Sequence, residues 1–470
     1  MNQVKGIIRN FAEYSIGPIG SAVIGFFSMT ILTWLIAPAE YGKIGIFQIY
    51  LSFGNIIVTL GFDQAFMREF FQIKDKSMLF FNSIILPLVF IAVNTLVLFI
   101  FPEFWSQLIF GSPEYVYLIY GTAITLISIF TLRFAYVILR MENRGIVYSI
   151  VSLLTNVIIF ILNIILLKFW SSSFESIVVA NLIANIIVGV IAVVVTKKYW
   201  LIKKFQFNKK LFLKLLYFST PLIPALVINL LFQSLGRLSI VWYSTEEQLG
   251  LFQVSMSISM LISVIQQAFT NGWVPIAYRW NTEGAPNKNY EFMGTVLIFL
   301  LLFVFFGVMI GREFIVLIIG SSYTPIMTIF PFLTLSYLMP TLAEVTGLGI
   351  SFARKNSYLM VISIIVLIIN FVGNWLLVPS MGAVGATIST GVSFVIFFWL
   401  RTIISRKLWY KFPLGKYILF TIAIVIGSII NTFVDRGVAF VINCIIEIVF
   451  VIVIILLVRK YKDRLINIRK

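Results

Sequence analysis

Histidine is absent from the 470-residue sequence, and cysteine occurs once, at Cys444 inside an apolar run. The first absence removes the commonest general base and the commonest zinc ligand. The second excludes an intramolecular disulfide. Charged residues make up only 11% of the chain against 60% hydrophobic ones, and mean hydropathy is +1.03. A soluble chain of this size needs a charged surface that this composition does not supply, so the chain reads as an integral membrane protein. No GxxxxGK[ST] loop is present, which argues against ATP hydrolysis by this chain. No histidine–cysteine cluster offers a metal site. The net charge of +17 lies in loops, so it speaks for topology and not for nucleic acid.

What is there is a series of apolar runs, near 16–36, 43–62, 79–101, 115–138, 147–168, 176–196, 217–243, 250–273, 292–311, 326–351, 358–379, 382–404, 417–434 and 438–458. Each is of helical length, about 20 residues, and not the roughly 10-residue alternating segment of a barrel. The expectation is an all-α integral membrane protein with about 14 transmembrane helices. The second run is the most dilute, with Gly45, Gln48, Ser52, Gly54 and Asn55 in it. The N-terminal MNQVKGIIRN is followed by a run too long for a signal peptide, so it is expected to stay.

Charge supports this threading. With the N-terminus in the cytoplasm, the inner loops hold Arg68, Lys74, Lys76, Arg140, Arg144, the Lys197–Lys214 cluster, Arg279, Lys288, Arg354, Lys355, Arg406, Lys407, Lys411, Lys416 and the tail from Arg459. The outer loops hold only Lys43, Lys168, Arg312 and Arg436. The positive-inside rule then places both termini in the cytoplasm. The cluster KKYWLIKKFQFNKKLFLKLL alternates lysines with apolar residues and reads as an amphipathic segment on anionic membrane lipids.

The halves repeat. Gly45-Ile46-Phe47-Gln48 recurs as Gly250-Leu251-Phe252-Gln253. Glu103-Phe104, Gly111 and Tyr115 recur as Glu313-Phe314, Gly320 and Tyr323; Asn163 recurs as Asn374. The shift is roughly 205 to 211 residues and the order is kept. Two six-helix lobes in a parallel pseudo-repeat follow, with a C-terminal helix pair outside it: 1–205, 206–404 and 405–470. Transporters with such repeats bind substrate between the halves and rock one against the other.

Charges within spans carry the functional signal. Arg237 sits inside the run from Tyr217 to Tyr243. A guanidinium in hydrocarbon costs several kcal/mol unless it faces protein or water, and it does not shed its proton. Its functional reading is a ligand for an anionic group, which it binds bidentately; its structural reading is a partner for an acid or for backbone carbonyls. Gln233 and Asn229 precede it on the same stretch as further candidate ligands. Arg133, near the inner end of its span, is either a ligand or a side chain snorkelling to the interface. Glu344, beside Pro340 and Gly347, is the candidate to carry a coupling proton or Na⁺, or else pairs with Arg237. Glu447 reads as packing or an accessory lipid groove, and Glu13 and Glu69 as interfacial. Pro18, Pro221 and Pro224, at matching places in the two halves, are candidate kinks and gating points. No catalytic residue is expected.

Several segments resemble one family. Gly61-Phe62-Asp63-Gln64-Ala65-Phe66-Met67-Arg68-Glu69-Phe70 resembles the G-x-D-x-A-x-x-R-F end of the second helix in bacterial polysaccharide-repeat-unit flippases of the O-antigen, Wzx type. These belong to the multidrug/oligosaccharidyl-lipid/polysaccharide exporter superfamily. Leu139 to Arg144 resembles the family's basic turn after the fourth helix, Gly250 to Val254 its G-L-Y-x-V start of the eighth, and Trp273 to Arg279 its W-x-P-x-A inner turn. The family's seventh helix often carries an Asp-Arg pair; here the positions are Gly236-Arg237. The resemblance implies a flippase of the bacterial cytoplasmic membrane, with no cofactor, coupled to a proton or cation gradient. Its implied partner is an oligosaccharide on undecaprenyl pyrophosphate, and polysaccharide polymerase or assembly proteins would stand beside it. The rival readings are an ion-coupled multidrug or cation exporter of the same fold, a peptidoglycan-precursor flippase, a membrane glycosyltransferase and a non-transporting scaffold.

Overall fold

In lipid no water satisfies the backbone, so long apolar runs must close their hydrogen bonds internally as helices. The computed structural model shows only helices and turns among the residues it describes, which are 2–201, 206–355 and 357–467. Of these, the side chains of 2–16, 18, 19, 57, 225, 229 and 453–467 lie outside the description.

Two compact units divide at Ser234/Leu235, inside the seventh run. The first holds α1 (Asn2–Leu35), α2 (Pro38–Thr59), α3 (Phe62–Glu69), α4 (Lys76–Ile100), α5 (Pro102–Phe110), α6 (Val116–Met141), α7 (Gly145–Phe169), α8 (Phe174–Val195), α9 (Lys197–Trp200) and α10 (Lys209–Ser219). The helix α11 (Leu222–Tyr243) runs across the division. The second holds α12 (Glu246–Ser259), α13 (Leu261–Thr282), α14 (Asn287–Ile318), α15 (Ile326–Thr346), α16 (Leu348–Phe352), α17 (Ser357–Leu408), α18 (Gly415–Phe433) and α19 (Arg436–Asn467).

Among the described residues, 10 helical stretches are long and apolar enough to cross a membrane. One of them, α17, has 52 residues, more than twice what a bilayer needs, and it reverses at Gly382 (φ 55°, ψ −130°). The limbs of this hairpin touch where side chains are small. A Cβ on Gly385 would lie 2.5 Å from the Leu377 carbonyl oxygen, and Ser389 Oγ donates to Asn370 O at 2.9 Å. Gln248 Oε1 accepts from the Ala383 amide at 3.1 Å and fills the space a Gly382 side chain would need. The dilute second run is a helix, α2, but is not among the ten.

In the first unit α1 packs on α7, and α6 on α8. Small residues allow the approach: Gly17 N donates to Ser149 Oγ at 3.1 Å, and Gly189 lies on Ser128. Phe66, Phe80, Phe130 and Phe134 form an aromatic cluster closed by Tyr199 and Trp200 of α9. The lysine-rich α10 is amphipathic as expected: Leu211, Leu215 and Ser219 are buried, while Lys209, Lys210 and Lys214 are exposed.

In the second unit α15 is buried on nearly every side, ringed by α12, α13, α14, α17 and α18. The C-terminal α18 and α19 both pack on α14. The amides of Asn431 and Asn443 hydrogen-bond reciprocally at 2.8 and 3.1 Å and join that pair. The sequence repeat has a local counterpart: single 3₁₀ turns, Pro113–Tyr115 and Ser321–Tyr323, precede α6 and α15.

Candidate functional site

In the second unit, α11 and α12 approach closely at Gly236, where a Cβ would meet the Phe252 ring at 2.9 Å. An aspartate at 236 would collide with that ring, so packing accounts for glycine before Arg237. The Nε of Arg237 is buried and has no hydrogen-bond partner. Among the described residues no acid pairs with it; the guanidinium interacts electrostatically with the Tyr337 phenol of α15. A phenol is a weak substitute for an anion, because a guanidinium offers five donors and a full charge. On the same helix Gln233 is exposed, and the Asn229 side chain lies outside the described residues.

In the first unit, Arg133 on α6 does not snorkel. Its Nη2 and Nε both reach Asp63 Oδ2, at 2.8 and 2.9 Å. Asp63 is aimed by the backbone: Leu60 and Gly61 both take left-handed conformations (φ 48° and 74°), ending α2 and starting α3 within two residues. Leucine is strained there and glycine is not. Asp63 then falls in the first turn of α3, where the helix dipole favours a carboxylate. Glu69, at the other end of α3, is buried; it accepts from Lys214 Nζ of α10. The stretch around Pro221 is where α10 stops and α11 starts, and Pro224 sits in the first turn of α11. Gly61 packs against Ser219 and Leu222, which flank that break. Pro18 lies in α1 with its side chain outside the described residues, as do those of Glu13 and its neighbours.

Glu344 does not pair with Arg237. It accepts at Oε1 from Arg401 Nη1 of α17 at 3.2 Å, and Trp273 Nε1 donates to its backbone oxygen at 3.1 Å. The pair tops a polar seam between α15–α16 and α17, continued by Thr346–Thr402 at 2.7 Å and Gly349 N–Ser405 Oγ at 2.8 Å. Glu447 on α19 keeps a buried Oε2 with no partner beside Gly307 of α14. The span asparagines mostly bond their own helices, Asn181 and Asn185 to carbonyls four residues back, while Asn156 links α7 to Ser21 of α1. Among the described residues no three acidic or thiol side chains gather as a metal site.

Three charged residues acquire roles that sequence reasoning had not assigned. Asp63 stood inside the quoted motif, and the signal was a buried-helix arginine in need of an acid. Arg401 stands near the end of a run and was not singled out by its sequence context. Arg312 had been counted as an outer-loop cation, but it is 1% exposed within α14. It donates to Met327 O (3.1 Å) and Asn431 O (2.7 Å) and pairs with Glu313 at 3.4 Å, which in turn holds Arg436 at 2.6 Å. It therefore ties α14, α15 and the C-terminal pair together.

A family model described as polysaccharide biosynthesis protein matches residues 7–279. A curated relative, the Lsg locus putative protein 1 of Haemophilus influenzae, is 20% identical over 278 residues, covering 58% of this chain and 66% of that one. The chain thus spans just under two thirds of that relative's length. A solved structure of the lipid II flippase MurJ in an inward closed conformation superposes with a TM-score of 0.71 at 16% identity, over 96% of this chain and 99% of the other. An inward-facing multidrug-resistance MATE transporter of the MOP superfamily gives 0.61 at 15% identity, over 82% and 94%. At these identities the two structures establish the fold, that of multi-pass transporters.

Proposed function

The chain belongs to the polysaccharide biosynthesis protein family, and from that premise we propose that it is a flippase, not an enzyme, carrying undecaprenyl-pyrophosphate-linked oligosaccharide from the cytoplasmic to the outer leaflet by alternating access. The observation that carries this reading is Arg237, a guanidinium on a membrane helix whose buried Nε has no partner. A diphosphate supplies the missing acceptors in bidentate geometry, and the lipid tail stays in the bilayer. Two acids within helices, Asp63 and Glu344, are already neutralised by Arg133 and Arg401. A cation exporter would need free acids instead; Asp63 and Glu344 are paired, and Glu447, whose Oε2 has no partner, lies on α19, in the C-terminal pair outside the repeat. Arg133 of the first unit, still 37% exposed, keeps donors beyond those that hold Asp63. Both termini lie in the cytoplasm of a bacterial inner membrane, by the excess of lysine and arginine in alternate loops.

The likeness to the lipid II flippase favours one alternative, a lipid-linked peptidoglycan precursor. Mass spectrometry of lipids that co-purify with the protein, and of lipids that accumulate when it is deleted, separates them. A polyprenyl-pyrophosphate oligosaccharide without peptide supports the proposal; a peptide-bearing headgroup replaces it. If neither experiment shows such a lipid, and deletion sensitises cells to cationic drugs, the exporter reading takes its place.

A further inference from the structure

The helix α15 is buried along almost its whole length, and its one open side is largely polar. From Ile329 to Thr346 every residue is buried except Ser336, Tyr337, Pro340 and Glu344. At 3.6 residues per turn these four fall within about 100° of arc, so they form one stripe along the helix. Pro340 has no amide to offer the Ser336 carbonyl, which leaves that acceptor without its usual helical donor. A guanidinium from another helix meets each end of the stripe. Arg237 of α11 interacts with Tyr337, and Arg401 of α17 with Glu344. Tyr337 and Glu344 stand two turns apart, a rise of about 10 Å. The Glu344 end lies toward the basic turns at Arg354 and Lys355 and at Arg406 and Lys407, read above as cytoplasmic.

The contact between Glu344 and Arg401 is a light one. Arg401 Nη1 reaches Glu344 Oε1 at 3.2 Å, and among the described residues this is the only hydrogen bond either side chain makes. Asp63, by contrast, takes two donors of Arg133, at 2.8 and 2.9 Å. Most of the five donors of the Arg401 guanidinium are therefore unused, the buried Nε among them. Apolar packing holds the arginine in place independently of the acid. Its guanidinium lies over the Phe397 ring, 5.5 Å from the centroid, and fits against Gly347, where a Cβ would come within 2.9 Å of Nε. The Trp273 indole fixes the Glu344 backbone and not its carboxylate. Of the two side chains the acid is the more open, 23% exposed against 12%. A carboxylate and a phosphate offer a guanidinium the same pair of oxygens. We propose that Glu344 stands in for the cargo phosphate on Arg401: the pair is an inner anion site on the loading side, filled by the protein's own carboxylate until a diphosphate displaces it and passes along the stripe to Arg237. This site deepens the function proposed above and rests on it for the identity of the cargo; the exchange of one anion for another on Arg401 does not.

The test is to titrate the detergent-purified full chain with farnesyl diphosphate, a diphosphate on a short prenyl tail, and to read the heat of binding, with farnesol and inorganic pyrophosphate alongside. The wild type should bind farnesyl diphosphate the tightest of the three. Glu344→Gln removes the competing anion and should bind it about fivefold more tightly, as expected for a partly exposed ion pair. Arg401→Gln should bind about tenfold more weakly, as expected for a lost charge-assisted hydrogen bond, and Arg401→Lys should lie between. The double variant Glu344→Gln/Arg401→Gln should match Arg401→Gln, with the gain at position 344 gone. A pair that only braces the two helices gives no gain in Glu344→Gln, and a misfolded protein gives none either. No binding in the wild type, an affinity in Glu344→Gln at or below wild type, or a gain that survives in the double variant overturns the site. Pyrophosphate bound as tightly as farnesyl diphosphate overturns the lipid-borne ligand. Weaker binding in Arg237→Ala, with unaltered curves for Glu344→Gln and Arg401→Gln, removes the inner site and leaves the flippase reading. The full pattern of gain and loss, with no lipid-linked oligosaccharide accumulating on deletion, keeps the inner site and removes the flippase.

Discussion

Asp63 and Arg133 are unequally buried, and that inequality sets the order in which their loss does harm. The Asp63 side chain is 2% exposed and that of Arg133 37%. Replacing Arg133 by alanine strands a carboxylate away from water, and removing one partner of a buried pair costs about 3–5 kcal/mol. The N-terminus of α3 returns up to about 1 kcal/mol of that. Replacing Asp63 by alanine leaves a long side chain that turns to solvent, as exposed pairs do, at about 1 kcal/mol. Arg133→Ala should therefore unfold at a clearly lower temperature than Asp63→Ala in the same detergent. The neutral pair Asp63→Asn/Arg133→Gln should recover much of the difference. The assay is thermal unfolding followed by a thiol-reactive dye, since Cys444 is the only cysteine and lies half-buried in α19. An Asp63→Ala protein as unstable as Arg133→Ala would refute the argument from burial.

Arg237→Ala should abolish export while Arg237→Lys partly restores it, because an ammonium keeps the charge and loses the fork; wild-type export from the alanine variant removes Arg237 from the site. Glu344→Gln should weaken the dependence of export on the ion gradient; an unchanged response to an uncoupler leaves Glu344 as the partner of Arg401 alone. Arg312→Ala should cost about 3–5 kcal/mol, and Arg312→Lys should rescue little, since the two carbonyls it serves lie on different helices; a thermally normal Arg312→Ala protein sinks that account. Burial, and then the hydrogen bond to Glu142, hold the Tyr199 phenol above its ordinary pKa of 10.0. The neutral phenol is the folded form, so its stabilisation is complete below pH about 10 and falls as pH rises beyond it. Tyr199→Phe should flatten the alkaline decline of thermal stability, and an unaltered decline argues against it.

Helices and their order were legible because lipid leaves a long apolar run one conformation, and the alternation of lysine and arginine marks the turns. Residues such as Arg237 were legible for the same reason, since a charge among apolar neighbours stands out without any structure. Partners were not. Asp63 and Arg133 lie 70 positions apart, and Glu344 and Arg401 57, distances at which spacing says nothing about contact. Arg312 misled because it stands near the end of a run, where an arginine in solvent and one turned inward look alike in sequence.

The reversal at Gly382 leaves almost no chain outside the two limbs it joins. A protease needs an extended strand of several residues, and a labelling reagent or antibody needs a segment that stands clear of the membrane. This crossing offers neither, so inserted tags and cleavage sites there would have to break the Gln248 contact before they could be read. Topology mapping by accessibility would pass over this turn and count two crossings too few, while the positive charges on the opposite side would still report them.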